Sequence, residues 1–252
     1  LPESVAIVIP ARYASTRLPG KPLAEIAGKP MIQWVYERAA AVQSSRRVVV
    51  ATDDIRVVDA VHAFGGEVEM TSAEHVSGSD RVAEVAKRLA EEIIVNVQGD
   101  EPFIEADVIE TAIDTVRNHS QRQVGSLMRP PRSLAELQSS ANVRVVVDRQ
   151  QRALYFTRSI IPFDRQADTD NKQLNLADYN LHVGIYVYRR TFLPLYAQLP
   201  ASHLENIEKL EQLRILENGY AIHMAQIGAA PICVDTQADL QEARSYAEKN
   251  FA

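Results

Sequence analysis

Three short apolar, β-branched runs constrain this chain most: Val5–Ile9, Arg47–Thr52 and Ile93–Gln98. Such runs, apolar without strict alternation, suit strands covered on both faces, as in a parallel sheet. Helical patterns fill the gaps between them. Met31–Ala41 has Pro30 near its first turn, and Ile55–Phe64 is stopped by Gly65-Gly66. Val82–Leu89 is expected to be N-capped by Ser79 or Asp80, and Ile104–Val116 follows as a fourth helix. Strand alternating with helix implies an α/β fold with a doubly wound, mostly parallel sheet. The 252 residues suffice to bury a sizeable core without staples, though length alone does not decide between one domain and one with a small lobe. A single domain over 1–252 with an inserted lobe is the expectation.

The middle of the chain changes character. The stretch "SLMRPPRSLAELQSSANVRVVVD" carries two prolines, and "RQADTDNKQLNLADYN" is polar and turn-rich. Between and after them, Val143–Val147, Ala153–Phe156 and Leu181–Tyr188 read as strands. Residues 130–190 therefore read as a smaller mixed-sheet insertion. Its 163–178 loop is expected to be a lid or part of a subunit contact, because long loops in compact domains usually have a task. A helix over Leu204–Glu217, a strand over Ala221–Gln226 and a helix over Leu240–Lys249 close the chain.

Composition excludes several classes. A net charge of −6 argues against a nucleic-acid binder, so an anionic ligand needs a local cluster of Lys and Arg. No apolar run approaches the length of a membrane span. The opening "LPESVAIVIPAR" has neither a basic leader nor a long apolar segment, so no signal peptide is expected. Cys233 is the one cysteine, which fits a reducing cytoplasm.

The cationic cluster lies in "PARYASTRLPGKPL", directly after the first strand. Its Gly20-Lys21 looks like the end of a Walker loop, but Pro22 stands where that motif needs Ser or Thr. Ser15 stands where its first glycine belongs, so the Walker reading fails. No G-x-G-x-x-G follows a strand either. What remains is a loop carrying Arg12, Arg17 and Lys21 among small Ala11, Ala14 and Ser15. Beyond a strand's carboxyl end, these groups suit a triphosphate; a solvated basic loop has the same composition.

Taken with "VATDD", "SGSDRVAE", "VNVQGDEP", "YFTR", "HVGIYVY", "EKLEQLRIL" and "VDTQADL", this loop resembles the 3-deoxy-manno-octulosonate cytidylyltransferase family. The segments occur in family order from residue 7 to about 240. The resemblance implies a nucleotide-diphospho-sugar transferase-like fold and a homodimer. It also implies a cytoplasmic enzyme that couples CTP to the sugar acid Kdo, releases pyrophosphate and serves lipopolysaccharide biosynthesis.

The resemblance assigns Arg12 and Lys21 to the triphosphate, with Asp100 as a further catalytic group. Ala11, Ser15, Ala51, Asp53, Ser77, Gly78, Arg81 and Gln98 are expected around the nucleotide. Gln98, Arg158, His182, Tyr186, Glu211 and Gln212 are expected around the sugar. Asp100 and Asp235 are expected to hold Mg2+, which prefers oxygen ligands.

Read alone, several of these residues have plainer explanations. Asp235 suits a helix N-cap, Asp100 a turn, and Ser77 or Ser79 a cap. His182 suits a core position, and Glu211 suits an i,i+3 pair with Arg214 on the packed face of one helix. The chain departs from the family in the last residues of "HVGIYVY", in Arg144 where Lys is common, and in "APICVDT". Transfer to another sugar acid, such as an 8-amino analogue or a sialic acid, is therefore an alternative. A non-catalytic nucleotide-binding protein is another.

Overall fold

The computed structural model describes residues 3–251 apart from 16, 76, 118, 171–173 and 229–231; for 168–170 it describes the backbone alone. Strand β1 (Val5–Ala11) leads through a ribbon of β2 (Glu25–Ile26) and β3 (Lys29–Pro30) into helix α1 (Met31–Ala40). Then come β4 (Ser45–Thr52), α2 (Ile55–Ala63), β5 (Val68–Met70), α3 (Gly78–Ala86), β6 (Ile93–Asn96) and α4 (Ala106–Asp114). The middle contains β7 (Val124–Arg129), α5 (Leu134–Gln138), β8 (Arg144–Val147), β9 (Ala153–Thr157) and α6 (Arg165–Asp170). Next are β10 (Leu181–Arg189), α7 (Leu193–Tyr196), α8 (His203–Glu208), α9 (Gln212–Glu217), β11 (Ile222–Gln226) and α10 (Gln237–Phe251).

Among the described residues, nine strands form one sheet with the order β11-β7-β10-β6-β1-β4-β5, and β8 and β9 attach at the end of β10. The pairs β1–β4, β1–β6, β4–β5 and β7–β11 are parallel; β10 runs antiparallel to both neighbours. The expected α/β fold with a mostly parallel sheet is the observed one.

Side-chain alternation along the strands creates two cores. Val5, Ile7 and Ile9 point to one face, with Val48 and Val50, and pack against Ile32 and Val35 of α1, Val57 of α2 and Ile109 of α4. Ala6, Val8, Val49 and Ala51 point to the other face, against Val82 and Val85 of α3 and Leu213 of α9. A third cluster joins Leu18, Ile26 and Trp34 to Phe103, Val234 and Leu240.

Four expectations change. The strand Leu181–Tyr188 was placed in the insertion, but β10 sits between β6 and β7 in the main sheet. Its neighbour β7, wholly buried, was not expected as a strand: it starts at Val124 and runs into the two-proline stretch that begins at Ser126. Pro130-Pro131 follow the strand and end it without disturbing its ladder.

The helix expected over Leu204–Glu217 is broken at Lys209, whose backbone is left-handed at φ 56°. On a continuous helix Glu208 and Glu211 would share a face. The break instead turns Glu208 to Thr157 Oγ1 (2.5 Å) and Arg158 N (3.0 Å), and Glu211 to Ser79 Oγ (2.9 Å).

The third helix begins earlier than expected. Ser77, not Ser79 or Asp80, is its N-cap, in a reciprocal capping box with Asp80. Of the 163–178 loop, α6 and a 3-10 turn at Leu176–Asp178 are described, while 171–173 lie outside the described residues.

Candidate active site

Parallel strands β1, β4 and β6 end at the same edge of the sheet, and the cleft lies there. It encloses about 370 Å³ between the last residues of β1 and the loop that follows (Arg12, Ser15, Arg17 and Lys21), the turn after β6 (Gln98, Gly99, Asp100), Gly78 at the start of α3, and Asp235. Close backbone packing shapes its floor. A Cβ on Gly99 would stand 2.8 Å from the Pro10 carbonyl oxygen, so only glycine lets the two loops approach this closely. Gly99 was not singled out from the sequence.

The charged centre joins residues far apart in the chain. Lys21 Nζ donates to Asp100 Oδ2 at 2.6 Å and to Asp235 Oδ1 at 2.9 Å. Arg17 adds a second cation to the same Asp235 oxygen at 3.0 Å. Burial opposes the Lys21 charge, but attraction to Asp100 and then Asp235 outweighs it, and the pKa is raised. Packing supports the convergence: Val234 N donates to the Asp100 carbonyl at 2.8 Å, and the third apolar cluster ties Leu18, Phe103 and Val234 together.

The alternative role of Asp235 as a helix cap is taken by its neighbour. Asp239 Oδ2 accepts from Thr236 N (2.7 Å) and Thr236 Oγ1 accepts from Asp239 N (3.3 Å), which leaves the Asp235 carboxylate directed to the cations.

The donor chemistry suits magnesium. Asp100, Asp235 and Cys233 each bring one ligand atom within 4.8 Å of the other two. Two carboxylates are what a hard cation takes while keeping waters for phosphate. Cys233, exposed but with its sulfur desolvated and facing Asp100, Glu101 and Asp235, has its thiol pKa raised, and a soft sulfur adds nothing magnesium prefers.

Around this centre the expected nucleotide residues divide. Ala11, Arg12, Ser15, Lys21, Gly78 and Gln98 line the cleft. Arg12 is held by the His75 carbonyl at 2.5 Å. Ala51 is packed in the second core, in register with Pro10 of the cleft. Asp53 accepts from Arg81 at 2.8 Å, and Arg81, fully buried, also donates to Thr71; this pair braces the ends of β4 and β5 behind the cleft. Ser77 caps α3.

The expected sugar residues divide as well. Gln98 donates to the Gly184 carbonyl at 3.1 Å, which ties the cleft to β10. Further along β10, the His182 and Tyr186 rings lie 5.3 Å apart. Burial, then Glu211, raises the Tyr186 pKa well above the ordinary value. Glu211 keeps one buried oxygen without a partner among the described residues, and burial raises its pKa. It does not pair with Arg214, which binds Glu205 instead. Gln212 is buried at the start of α9. Of these six residues only Gln98 lines the cleft; Arg158 sends its donors to the carbonyls of Ser140 (2.9 Å) and Glu208 (3.1 Å). Arg144, one of the family departures, is buried and donates to the carbonyls of Asn142, Arg158 and Leu137. Of the departure "APICVDT", Ala230 and Pro231 lie outside the described residues.

The model of the family described as Cytidylyltransferase matches residues 6–224. A 3-deoxy-manno-octulosonate cytidylyltransferase from Syntrophotalea carbinolica is 49% identical over 96% of this chain and 98% of its own length. One from Geobacter sulfurreducens is 50% identical over 95% and 97%. The chain belongs to the 3-deoxy-manno-octulosonate cytidylyltransferase family. A solved CMP:2-keto-3-deoxy-manno-octonic acid synthetase in complex with CTP superposes with a TM-score of 0.92, at 46% identity over 98% of this chain and all of that one. A 4-diphosphocytidyl-2C-methyl-D-erythritol synthase from Anaerococcus prevotii, 10% identical at a TM-score of 0.63, shares the fold.

Two desolvated groups, half-buried His182 and buried Glu101, give this cytidylyltransferase opposing pH dependences. The His182 ring meets Ser126 Oγ at 2.8 Å and the edge of Phe156, and burial pushes its pKa down to about 3. The folded chain thus refuses a proton that the unfolded chain accepts near the ordinary value of 6.5. The stability His182 contributes above that value is lost as pH falls from it toward 3. Glu101, raised to about 8 by burial and then by Asp100, does the reverse: its contribution is lost as pH rises from 4.5 to 8. Comparing wild type with His182→Gln by urea denaturation isolates the histidine. We predict that the wild type loses stability relative to the variant as pH falls from about 7 to about 5. A difference that stays constant over this range contradicts the burial of a neutral ring.

Proposed function

We propose that this nucleotidyltransferase couples CTP to Kdo, giving CMP-Kdo and pyrophosphate. One observation carries the reading: the cations of the loop after β1 meet two carboxylates from distant segments in a cleft at the carboxyl edge of the sheet. The near-full-length relatives of this name and the CTP-bound synthetase support the choice of substrates.

The reaction brings two anions together at phosphorus, so positioning and charge do most of the work. The Kdo anomeric oxygen attacks the α-phosphorus, and the bond to pyrophosphate breaks. Arg12 and Lys21 bind the triphosphate, and Lys21 stabilises charge on the α-phosphate and leaving group as it grows. Asp100 and Asp235 are the residues that would hold Mg2+, which when bound supplies charge neutralisation to the phosphate oxygens. Gly78 and the backbone around Ala51 face the base in this reading, with Asp53 and Arg81 as their brace. Gln98, with His182, Tyr186, Glu211 and Gln212 along β10 and α9, forms the sugar side; Arg158 shapes it through the loops it ties together.

The product serves lipopolysaccharide assembly, and the enzyme works in the cytoplasm. No helix among the described residues is long and apolar enough to cross a membrane. A homodimer accompanies this function, with exposed Leu154, Ile160 and Phe163 on the insertion offering apolar surface for it. Sedimentation at micromolar concentration should give twice the chain mass; a monomer there contradicts the dimer.

Pyrophosphate release with CTP and a panel of sugar acids tests the activity. Kdo should be turned over fastest; preference for an 8-amino or sialic-type acceptor would move the substrate, and tight CTP binding without turnover would remove the activity. Lys21→Ala and Asp100→Asn should keep the fold and lose roughly 100-fold or more in kcat, as for loss of a group stabilising transition-state charge. Near-normal kcat of Asp100→Asn at saturating Mg2+ contradicts the metal assignment.

A further inference from the structure

The Lys21 ammonium touches the same two carboxylates that are the only strong magnesium donors in the cleft among the described residues, Asp100 at 2.6 Å and Asp235 at 2.9 Å. Two cations cannot share that spot. A divalent ion at contact distance from both oxygens would lie within a few ångströms of the ammonium, where repulsion is strong in a part-buried setting. One of them must leave.

We propose that Lys21 is an internal cation that competes with the divalent metal for Asp100 and Asp235, so that metal entry is coupled to nucleotide entry. This inference rests on the magnesium reading above and adds its regulation. The lysine is suited to the exchange. Its charge sits on a flexible four-carbon stem with rotatable donors, and it lines the same cleft as Arg12 and Ser15. A triphosphate bound there gives the displaced ammonium new acceptors. Without one, metal binding strips the lysine of both partners and leaves a part-buried charge unpaired. Arg17, more exposed, adds a second cation 3.0 Å from the same Asp235 oxygen that a divalent ion must contend with. The coupling is reciprocal: whatever metal gains from nucleotide, nucleotide gains from metal.

The test measures Mn2+ binding by electron paramagnetic resonance of the free ion, in the absence of CTP. The proteins are wild type, Lys21→Met and Lys21→Gln, each checked for folding by circular dichroism, and the double variant Lys21→Met/Asp100→Asn. Removing the ammonium should tighten Mn2+ binding by at least about fivefold, the lower end of typical coupling between two ligands. Either neutral variant that folds suffices, and the gain should vanish in the double variant. Equal or weaker binding by the neutral variants overturns the competition. A gain that survives in the double variant also overturns it, since the ion is then held elsewhere. No Mn2+ binding by wild type or either neutral variant overturns the magnesium reading itself, and this inference with it.

Discussion

The contact between one ammonium and two carboxylates organises this molecule. Lys21, Asp100 and Asp235 come from the first crossover, the turn after β6 and the approach to α10. A like-charged pair of carboxylates held this close is unfavourable without a cation between them. The lysine supplies it, and burial makes the interaction stronger than it would be in water. The apolar cluster beneath, from Leu18 to Phe103 and Val234, fixes the three backbone segments so that the charges meet without each side chain having to be ordered separately.

The sheet explains why the site forms where it does. Parallel strands end together, so loops distant in sequence open on one edge, and their backbone groups and side chains face a common space. The antiparallel β10 carries His182 and Tyr186, and Gln98 of the cleft is bonded to the Gly184 carbonyl between them. In the proposed reaction, anion binding and sugar binding are neighbouring tasks on adjacent strands of one frame.

Much of this was legible in the chain. The apolar runs at Val5–Ile9 and Arg47–Thr52 named their strands because both faces are buried, and the failed Walker spacing removed the wrong phosphate site. The meeting of Lys21 with both aspartates could be expected from the family pattern, not from spacing, since residues 79 and 214 positions away carry no local signal. Strand β7 was hidden by Pro130-Pro131, which mark its end. The break at Lys209 was hidden because helical periodicity continues across it; only the tertiary pull of Thr157 and Ser79 on two glutamates separates α8 from α9. Arg158 looks like a ligand-binding cation in the family pattern, yet its donors go to the carbonyls of Ser140 in the insertion and Glu208 at the end of α8. Gly99 became meaningful only once Pro10 was seen against it.

If Asp100 and Asp235 serve one cation, they act as a unit, and neither works without the other. A double-mutant cycle in kcat/KM across Asp100→Asn and Asp235→Asn measures this directly. Strong non-additivity, with the double variant scarcely worse than the more damaging single one, is the result expected here. Losses that simply add would mean that the two carboxylates serve separate purposes.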